Sequence, residues 1–376
     1  MLSLYIHIPF CVRKCPYCGF YSTLYDNFTA DAYIPALSRE ASSYDYGFNY
    51  QVFETVYIGG GTPSILSEDQ FSLLMNDVFR KFRIHPDAEV TLESNPNSVT
   101  EQKLETWLKR GVNRLSIGVQ SFSDPVLQTL GRLHDSRQAS EALILARRAG
   151  FKNIGMDLIY GIPNQTHSAW EETVRTALAH KPHHLSLYSL SFDDGSLFRK
   201  EADAGRMRMP DDDSVASMYE SAVSMLTGAG YIRYEISNFA QPGMECRHNM
   251  NYWNRGEYLG LGAGAWSFIK GRRSRTIADI AEYVRRMSEG ISADAETEIP
   301  DRAQSARETI MLSLRTAQGL DLQRFRDRYG TPSATRLERN GSRCSAEGLA
   351  HLHGNKLVLT ERGILLSNEA LTRLSE

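Results

Sequence analysis

Three cysteines near the start, Cys11, Cys15 and Cys18 in FCVRKCPYCGFYS, are the residues of this 376-residue chain best suited to chemistry. The spacing C-x3-C-x2-C lets three sulfurs on one tight loop converge on a single inorganic centre. A closed structural zinc site or a fully ligated four-iron cluster takes four protein ligands. Three thiolates on a [4Fe-4S] cube leave one iron open for a substrate or cofactor, so the loop reads as reactive. The competing readings are a zinc knuckle completed by His7 or another histidine, and three unrelated buried thiols. So tight a cluster in a chain of five cysteines argues against both.

The elements that must position this loop recur in a regular rhythm. The apolar run LSLYIHI leads into it, and helix-like DAYIPALSREASSY follows. ETVYIGGG, AEVTLESNP, RLSIGVQSF, NIGMDLIYGIP and HLSLYSLSF then alternate with amphipathic segments. This pattern predicts repeated βα units and a parallel sheet. The fold class is therefore α/β, a partial (β/α)6 TIM-type barrel over residues 1–200. Residues 201–298 read as an extension of the barrel. Past the barrel strands DDGSLFRKEADAGRMRMPDDD is a connection, DSVASMYESAVSMLTGAG is a helix, and ISADAETEIPD is a polar linker before the C-terminal region. Residues 299–376 form a C-terminal, mostly helical, winged-helix-like domain, with two helices around Gly319, a hairpin at Gly354-Asn355 and a helix start at Thr360-Glu361.

Residues able to bind a ligand fall at the C-terminal ends of the strands, where barrels of this kind place their active sites. After the second strand comes Gly59-Gly60-Gly61-Thr62-Pro63, whose missing side chains allow close backbone approach. It is not a phosphate loop, because no Gly-Lys-Ser/Thr follows. Glu93, Gln120 and Asp157 close later strands, and Arg132 follows the fourth. A carboxylate there can accept from ribose hydroxyls or an ammonium, and an arginine can clamp a carboxylate. Taken singly, each reads equally well as a cap or turn residue.

C-x3-C-x2-C after a short N-terminal strand resembles the radical S-adenosylmethionine (radical SAM) superfamily, in which SAM chelates the open iron and an electron from the cluster cleaves it. The further motifs resemble the coproporphyrinogen III dehydrogenase-like group of that superfamily, through most of residues 1–270. The resemblance implies that Cys11, Cys15 and Cys18 hold a [4Fe-4S] cluster. It implies SAM contacts at Gly60, Gly61, Thr62, Glu93, Gln120, Arg132 and Asp157, with Tyr5 and Tyr17 matching further positions. Where SAM is cleaved, an electron donor such as flavodoxin or ferredoxin is implied as well.

A second chemically interesting stretch, YIRYEISNFAQPGMECRHNMNYWNRGEYLGLGAGAWSF, brings Cys246, His248, Tyr252, Trp253 and Trp266 close in sequence. Gly256, Gly260, Gly262 and Gly264 read as a loop that can pack against something flat. An imidazole among aromatics could ligate haem iron, although a single histidine in such surroundings is more often a core residue. Residues 248–253 read H-N-x-x-Y-W, which resembles the haem-chaperone branch of the group and implies His248 as a haem contact. Cys246 remains a competing thiolate.

Two functions of different classes share this scaffold. One is a radical SAM enzyme acting on a porphyrin, either an oxidative decarboxylase of coproporphyrinogen III or a haem-modifying enzyme. The other is a haem chaperone that delivers haem to acceptor haemoproteins, with membrane respiratory proteins as implied acceptors. Three features favour the chaperone. Cys11 lies close to the N-terminus, Phe20 stands where the dehydrogenase pattern has a further cysteine, and the H-N-x-x-Y-W run is present. Whether SAM is cleaved does not follow from these residues.

A net charge of -3 gives no electrostatic case for nucleic acid or an acidic membrane surface. No apolar run approaches the roughly 20 residues that span a bilayer, and the first residues lack a basic n-region. The expected location is the cytoplasm, where thiols stay reduced.

Overall fold

Six strands with buried side chains run side by side in chain order. They are β1 (Leu2–Ile8), β2 (Val52–Gly60), β3 (Arg83–Ser94), β4 (Arg114–Gln120), β5 (Ile154–Tyr160) and β6 (His184–Ser189). Each pairs parallel with the next in this computed structural model, which describes residues 1–44, 48, 51–193 and 196–376. Parallel neighbours need a crossover between them. The helices α1 (Asn27–Ser43), α2 (Glu68–Lys81), α3 (Glu101–Lys109), α4 (Ser136–Ala149) and α5 (His167–Ala179) supply it.

Helix starts follow from local chemistry. Ser67 with Gln70, and Asp135 with Gln138, form reciprocal capping boxes that satisfy backbone donors at the first turns of α2 and α4. The helices bury Phe71, Trp107 and Trp170 against a sheet face built from residues such as Ile6, Ile58, Leu92 and Ile117, all essentially inaccessible. Each large apolar side chain so buried contributes about 1.5–3 kcal/mol.

The sheet extends past both ends of the six-stranded unit without closing. Beyond β6 lies the antiparallel strand Asn238–Ala240. Beyond β1 comes Glu257–Leu261, parallel to it, and then the antiparallel strands Trp266–Ile269, Arg272–Thr276 and Asp294–Glu298. The barrel is therefore partial. One continuous hydrophobic core gathers residues from Leu2 to Ala293, so the stretch 201–298 shares the barrel's interior.

Three local expectations are corrected. The glycine-rich stretch after Trp253 is largely strand. Gly260 pairs with Tyr5, and a Cβ there would collide with the Trp266 carbonyl, so this glycine serves close strand packing. The polar run 291–301 contains the edge strand Asp294–Glu298, whose residues are all exposed. Cross-strand ion pairs of Arg275 with Glu296 at 3.1 Å and Arg273 with Glu298 at 2.7 Å accompany its pairing. The connection after β6 includes a short helix, Leu197–Asp203, capped by the Ser196 hydroxyl.

A second core, from Ala306 to Leu374, belongs to the C-terminal part. The helix Arg302–Ser313 leads to Leu322–Tyr329 and then to a helix over Thr331–Ala346 that is absent from the sequence reading. The hairpin Ala350–His353 with Lys356–Leu359 turns at Gly354, and Thr360 caps the next helix by accepting from Gly363 N. This part is tied to the barrel extension by Arg233 to Glu361 and by Arg255 and Arg273 to Glu308. Among the described residues, no helix is long and apolar enough to cross a membrane.

Candidate functional site

The cysteine loop leaves β1 through Pro9 and is fastened at once to the end of β2. Gly61 N donates to the Ile8 carbonyl at 2.9 Å, and Thr62 N to the Phe10 carbonyl at 2.7 Å. A Cβ on Gly61 would lie 2.6 Å from the Phe10 oxygen, so only glycine allows this approach. Gly60, at φ 111, needs glycine for its conformation. The Thr62 hydroxyl reaches Cys11 Sγ at 3.5 Å, and Arg132 reaches Cys15 Sγ at 3.6 Å. All three cysteines are free and half-buried, and they line one cavity of about 410 Å³. Burial pushes the Cys18 thiol up, the Phe20 amide opposes this, and the neighbouring Cys15 and Cys11 add to it.

The strand ends complete the wall. Glu93 at the end of β3 accepts from the Tyr57 hydroxyl at 2.7 Å and from Gly60 N at 3.1 Å. Its burial raises the carboxyl to about 7, against these hydrogen bonds. Asp157 on β5 accepts from the Ser116 hydroxyl at 3.2 Å, and burial raises it too, opposed by a Ser186 hydrogen bond and by Arg114. Arg132 donates to Asn95 Oδ1 at 2.5 Å and to the Gly118 carbonyl at 2.9 Å. Gln120 holds a left-handed backbone, φ 67, a strained conformation for a residue with a side chain. Tyr17 also lines the cavity and packs on Phe198, its phenol pushed up by burial.

These residues suit a three-cysteine cluster with a polar ligand on its open side. Among the described residues, no three His, Cys, Asp or Glu side chains group to hold a single metal ion. The three thiols instead share a cavity wall with groups whose hydrogen bonding is incomplete: Gln120 Oε1, Arg132 Nε and Ser94 Oγ are buried without a partner. Buried polar atoms are normally satisfied, so unpaired ones beside the thiols leave contacts for a ligand to complete.

Two of the expected ligand contacts, Tyr5 and His248, and the competing thiolate Cys246 stand apart from the cavity. Tyr5 lies within β1, and its hydroxyl bonds His7 Nδ1 at 2.9 Å. His248, expected as a haem contact, is fully buried on the helix Arg247–Trp253 with both ring nitrogens engaged. Nδ1 meets the Thr55 hydroxyl at 2.8 Å and Nε2 the Tyr252 hydroxyl at 2.9 Å. Burial, then Arg114, lowers its pKa to about 3. Cys246 is also fully buried, its thiol turned to Glu89 at 3.5 Å and raised to about 12, chiefly by burial. The Glu89 carboxylate accepts from the backbone N of Arg247 and His248, capping the helix. Of the H-N-x-x-Y-W run, Asn249 is the residue that lines the cavity.

Among the lining residues that escape the sequence reading are Asn95, Arg114 and His184. Asn95 joins Thr62, at 3.1 Å, to Arg132, and its place two residues after Glu93 in TLESNP is the signal that could have found it. Arg114 and His184 sit at the starts of β4 and β6, where no strand-end rule points. The His184 ring is kept neutral by burial and by Arg114, and its Nδ1 has no partner.

Residues 5–177 match the Radical SAM superfamily, and residues 301–366 match the HemN C-terminal domain. The chain is 35% identical over 370 residues to the heme chaperone HemW of Bacillus subtilis, covering 98% of each chain. It is 40% identical over 279 residues to the heme chaperone HemW of Escherichia coli, covering 73% of each. The fold is similar to that of the solved Escherichia coli coproporphyrinogen III oxidase (HemN), a radical SAM enzyme. The TM-score is 0.87 at 25% identity, over 100% of this chain and 90% of that one. With 35% identity over 98% of both chains and a radical SAM match over residues 5–177, the chain belongs to the HemW family of the radical SAM superfamily.

Proposed function

We propose that the protein is a haem chaperone: it binds haem and passes it to acceptor haemoproteins, with membrane respiratory proteins as candidate acceptors. The end-to-end match to relatives named heme chaperones carries this reading. Cys11, Cys15 and Cys18 would hold a [4Fe-4S] cluster, which, when bound, supplies an open iron for SAM and one electron for its cleavage, drawn from a flavodoxin or ferredoxin. Gly60, Gly61 and Thr62 offer backbone to SAM at close range. Glu93 and Asp157 offer carboxylates to its ammonium and ribose, and Arg132 and Gln120 offer unfilled polar atoms.

Direct ligation of haem iron by His248 requires Nε2 to leave the Tyr252 hydroxyl. Its engaged nitrogens support a positioning role, fixing the helix from which Asn249 meets the cavity. The test is an anaerobic haemin titration of reconstituted protein, followed in the Soret band. Saturation near about one haem per chain supports the reading, and absence of saturable binding sinks it.

The likeness to coproporphyrinogen III oxidase favours a second reading, a radical SAM enzyme acting on a porphyrin. Catalytic turnover of coproporphyrinogen III, or product formed from haem, would establish it.

A further inference from the structure

A guanidinium lies on the wall of the cavity with nothing bound to it. Arg114, at the start of β4, is 1% exposed and lines the cavity, yet among the described residues it makes no hydrogen bond or ion pair, and its Nε is enclosed without a partner. Burying a charge is costly unless it is paired and hydrogen-bonded. The carboxylates that feel this charge are committed to other donors. Glu89 accepts from the backbone N of Arg247 and His248, Glu93 from Tyr57 and Gly60, and Asp157 from Ser116.

His184, also 1% exposed and lining the cavity, brings a second unfilled nitrogen to the same place. It pairs in register with Gly155 on β5. A Cβ on Gly155 would lie 3.4 Å from Arg114 Nη2 and 3.4 Å from His184 Nδ1, so both nitrogens border one small space that a missing side chain leaves open. The hydrogen-bond network assigns the tautomer. The Tyr234 hydroxyl accepts from Cys246 N at 3.3 Å and lies 2.7 Å from His184 Nε2. Its own proton finds its acceptor in Nε2, which leaves the proton of the neutral imidazole on Nδ1, as a donor to the space over Gly155.

We infer that Arg114 and His184 form an anion-binding subsite over Gly155 that takes a monocarboxylate group. A planar carboxylate has one oxygen for each donor. One fixed positive charge beside a neutral imidazole balances one negative charge, and Glu89, Glu93 and Asp157 around it disfavour a dianion such as sulfate. The subsite is separate from Arg132, which turns to Cys15 and Asn95. The carboxylate belongs either to a free small acid or to the end of a longer molecule running through the cavity. Neither source depends on haem binding or on SAM cleavage.

Formate and butyrate, with sulfate as the dianion control, are titrated at constant ionic strength into the anaerobically reconstituted full chain and its Gly155→Ala and Arg114→Gln variants. Binding heat and Tm are read together. Wild type is expected to bind a monocarboxylate saturably with a rise in Tm and to leave sulfate unbound. Both variants are expected to lose about tenfold or more in affinity. Tighter formate assigns the subsite to a free small acid, and tighter butyrate to the end of a longer molecule. Gly155→Ala keeps every charge, and its Cβ would meet no atom closer than 3.3 Å, so it decides the matter if Arg114→Gln fails to fold. No saturable binding of either acid to wild type overturns the inference and leaves water over the guanidinium. Undiminished affinity in Gly155→Ala, or sulfate bound as tightly as formate, overturns it as well.

Discussion

The Glu93 carboxylate is bound to the backbone of Gly60, whose amide donates to Oε2 at 3.1 Å while the Tyr57 hydroxyl donates to Oε1 at 2.7 Å. One side chain therefore joins the ends of β2 and β3 directly beneath the cysteine loop. It also brings a buried carboxyl to about 7, with burial as the main cause.

Above that value Glu93 is ionised and can accept a cationic group; below it, the group is neutral. SAM affinity of the reconstituted protein should rise as pH increases through about 7, and Glu93→Gln should lower affinity by ~10-fold or more and flatten that rise. Isothermal titration across pH 6 to 8 reads both. A Glu93→Gln profile parallel to wild type would remove the residue from the SAM site.

Gly61→Ala should damage the loop rather than the core. The added methyl would sit 2.6 Å from the Phe10 oxygen and 2.9 Å from the Ile8 oxygen, both backbone atoms that cannot rotate away. A cost of about 1–3 kcal/mol is expected, as for overpacked sites. Reduced iron and sulfide after reconstitution, with a lowered Tm, is the expected outcome. Full cluster content would show that the GGGTP turn can shift away from the cysteines.

The αβ rhythm and the strand-end residues were legible because both follow from repeating geometry. Apolar runs of strand length between amphipathic helices announce β1 to β6, and Glu93, Gln120 and Asp157 then fall where such sheets carry their ligands. Residues whose role depends on burial were not legible. HNMNYW in one dimension looks like an aromatic ligand patch, but the fold turns His248 inward to Thr55 and Tyr252. DAETE reads as linker, because its strand character lies in arginines of a neighbouring strand. The helix Thr331–Ala346 carries Asn340 and Gly341 in its middle, poor helix formers. Tertiary packing overrides them: Asn340 and Gly341 are buried, and a Cβ on Gly341 would lie 3.1 Å from Leu357.

Tyr252→Phe leaves His248 Nε2 without its partner in a buried setting, and the cost should be about 1–3 kcal/mol. If His248 is a positioning residue, the variant lowers Tm and leaves the haem Soret maximum in place. A shifted maximum or tighter haem binding would mean that the freed nitrogen reaches the iron, restoring His248 as a ligand. Thermal melts and Soret spectra on the same preparations separate the two.

Glu40, which does not line the cavity, makes stability depend on pH. Its Oε2 accepts from Gly262 N at 2.7 Å and from the Tyr283 hydroxyl at 2.6 Å, while Oε1 has no partner. Burial raises the carboxyl from 4.5 to about 7, opposed by these two bonds. The folded chain thus keeps a proton that the unfolded chain releases, so stability falls as pH rises from 4.5 towards about 7. This carboxyl's share of the fall is about 3 kcal/mol. Glu40→Gln retains an acceptor for both donors and should flatten this part of the profile. Denaturant midpoints at pH 5 and pH 8 test it; an undiminished difference in the variant would rule the carboxyl out as its source.

An open barrel leaves its outermost strand with unused backbone donors and acceptors, the usual template for unwanted pairing between molecules. One of the two outer strands here is Asp294–Glu298, with carboxylates at positions 294, 296 and 298. Two copies meeting edge to edge would bring like charges together and would have to compete with Arg273 and Arg275 for their own acids. Like charge along this margin opposes edge-to-edge pairing of two copies, so the sheet can stay unclosed at this end with its backbone groups turned to solvent.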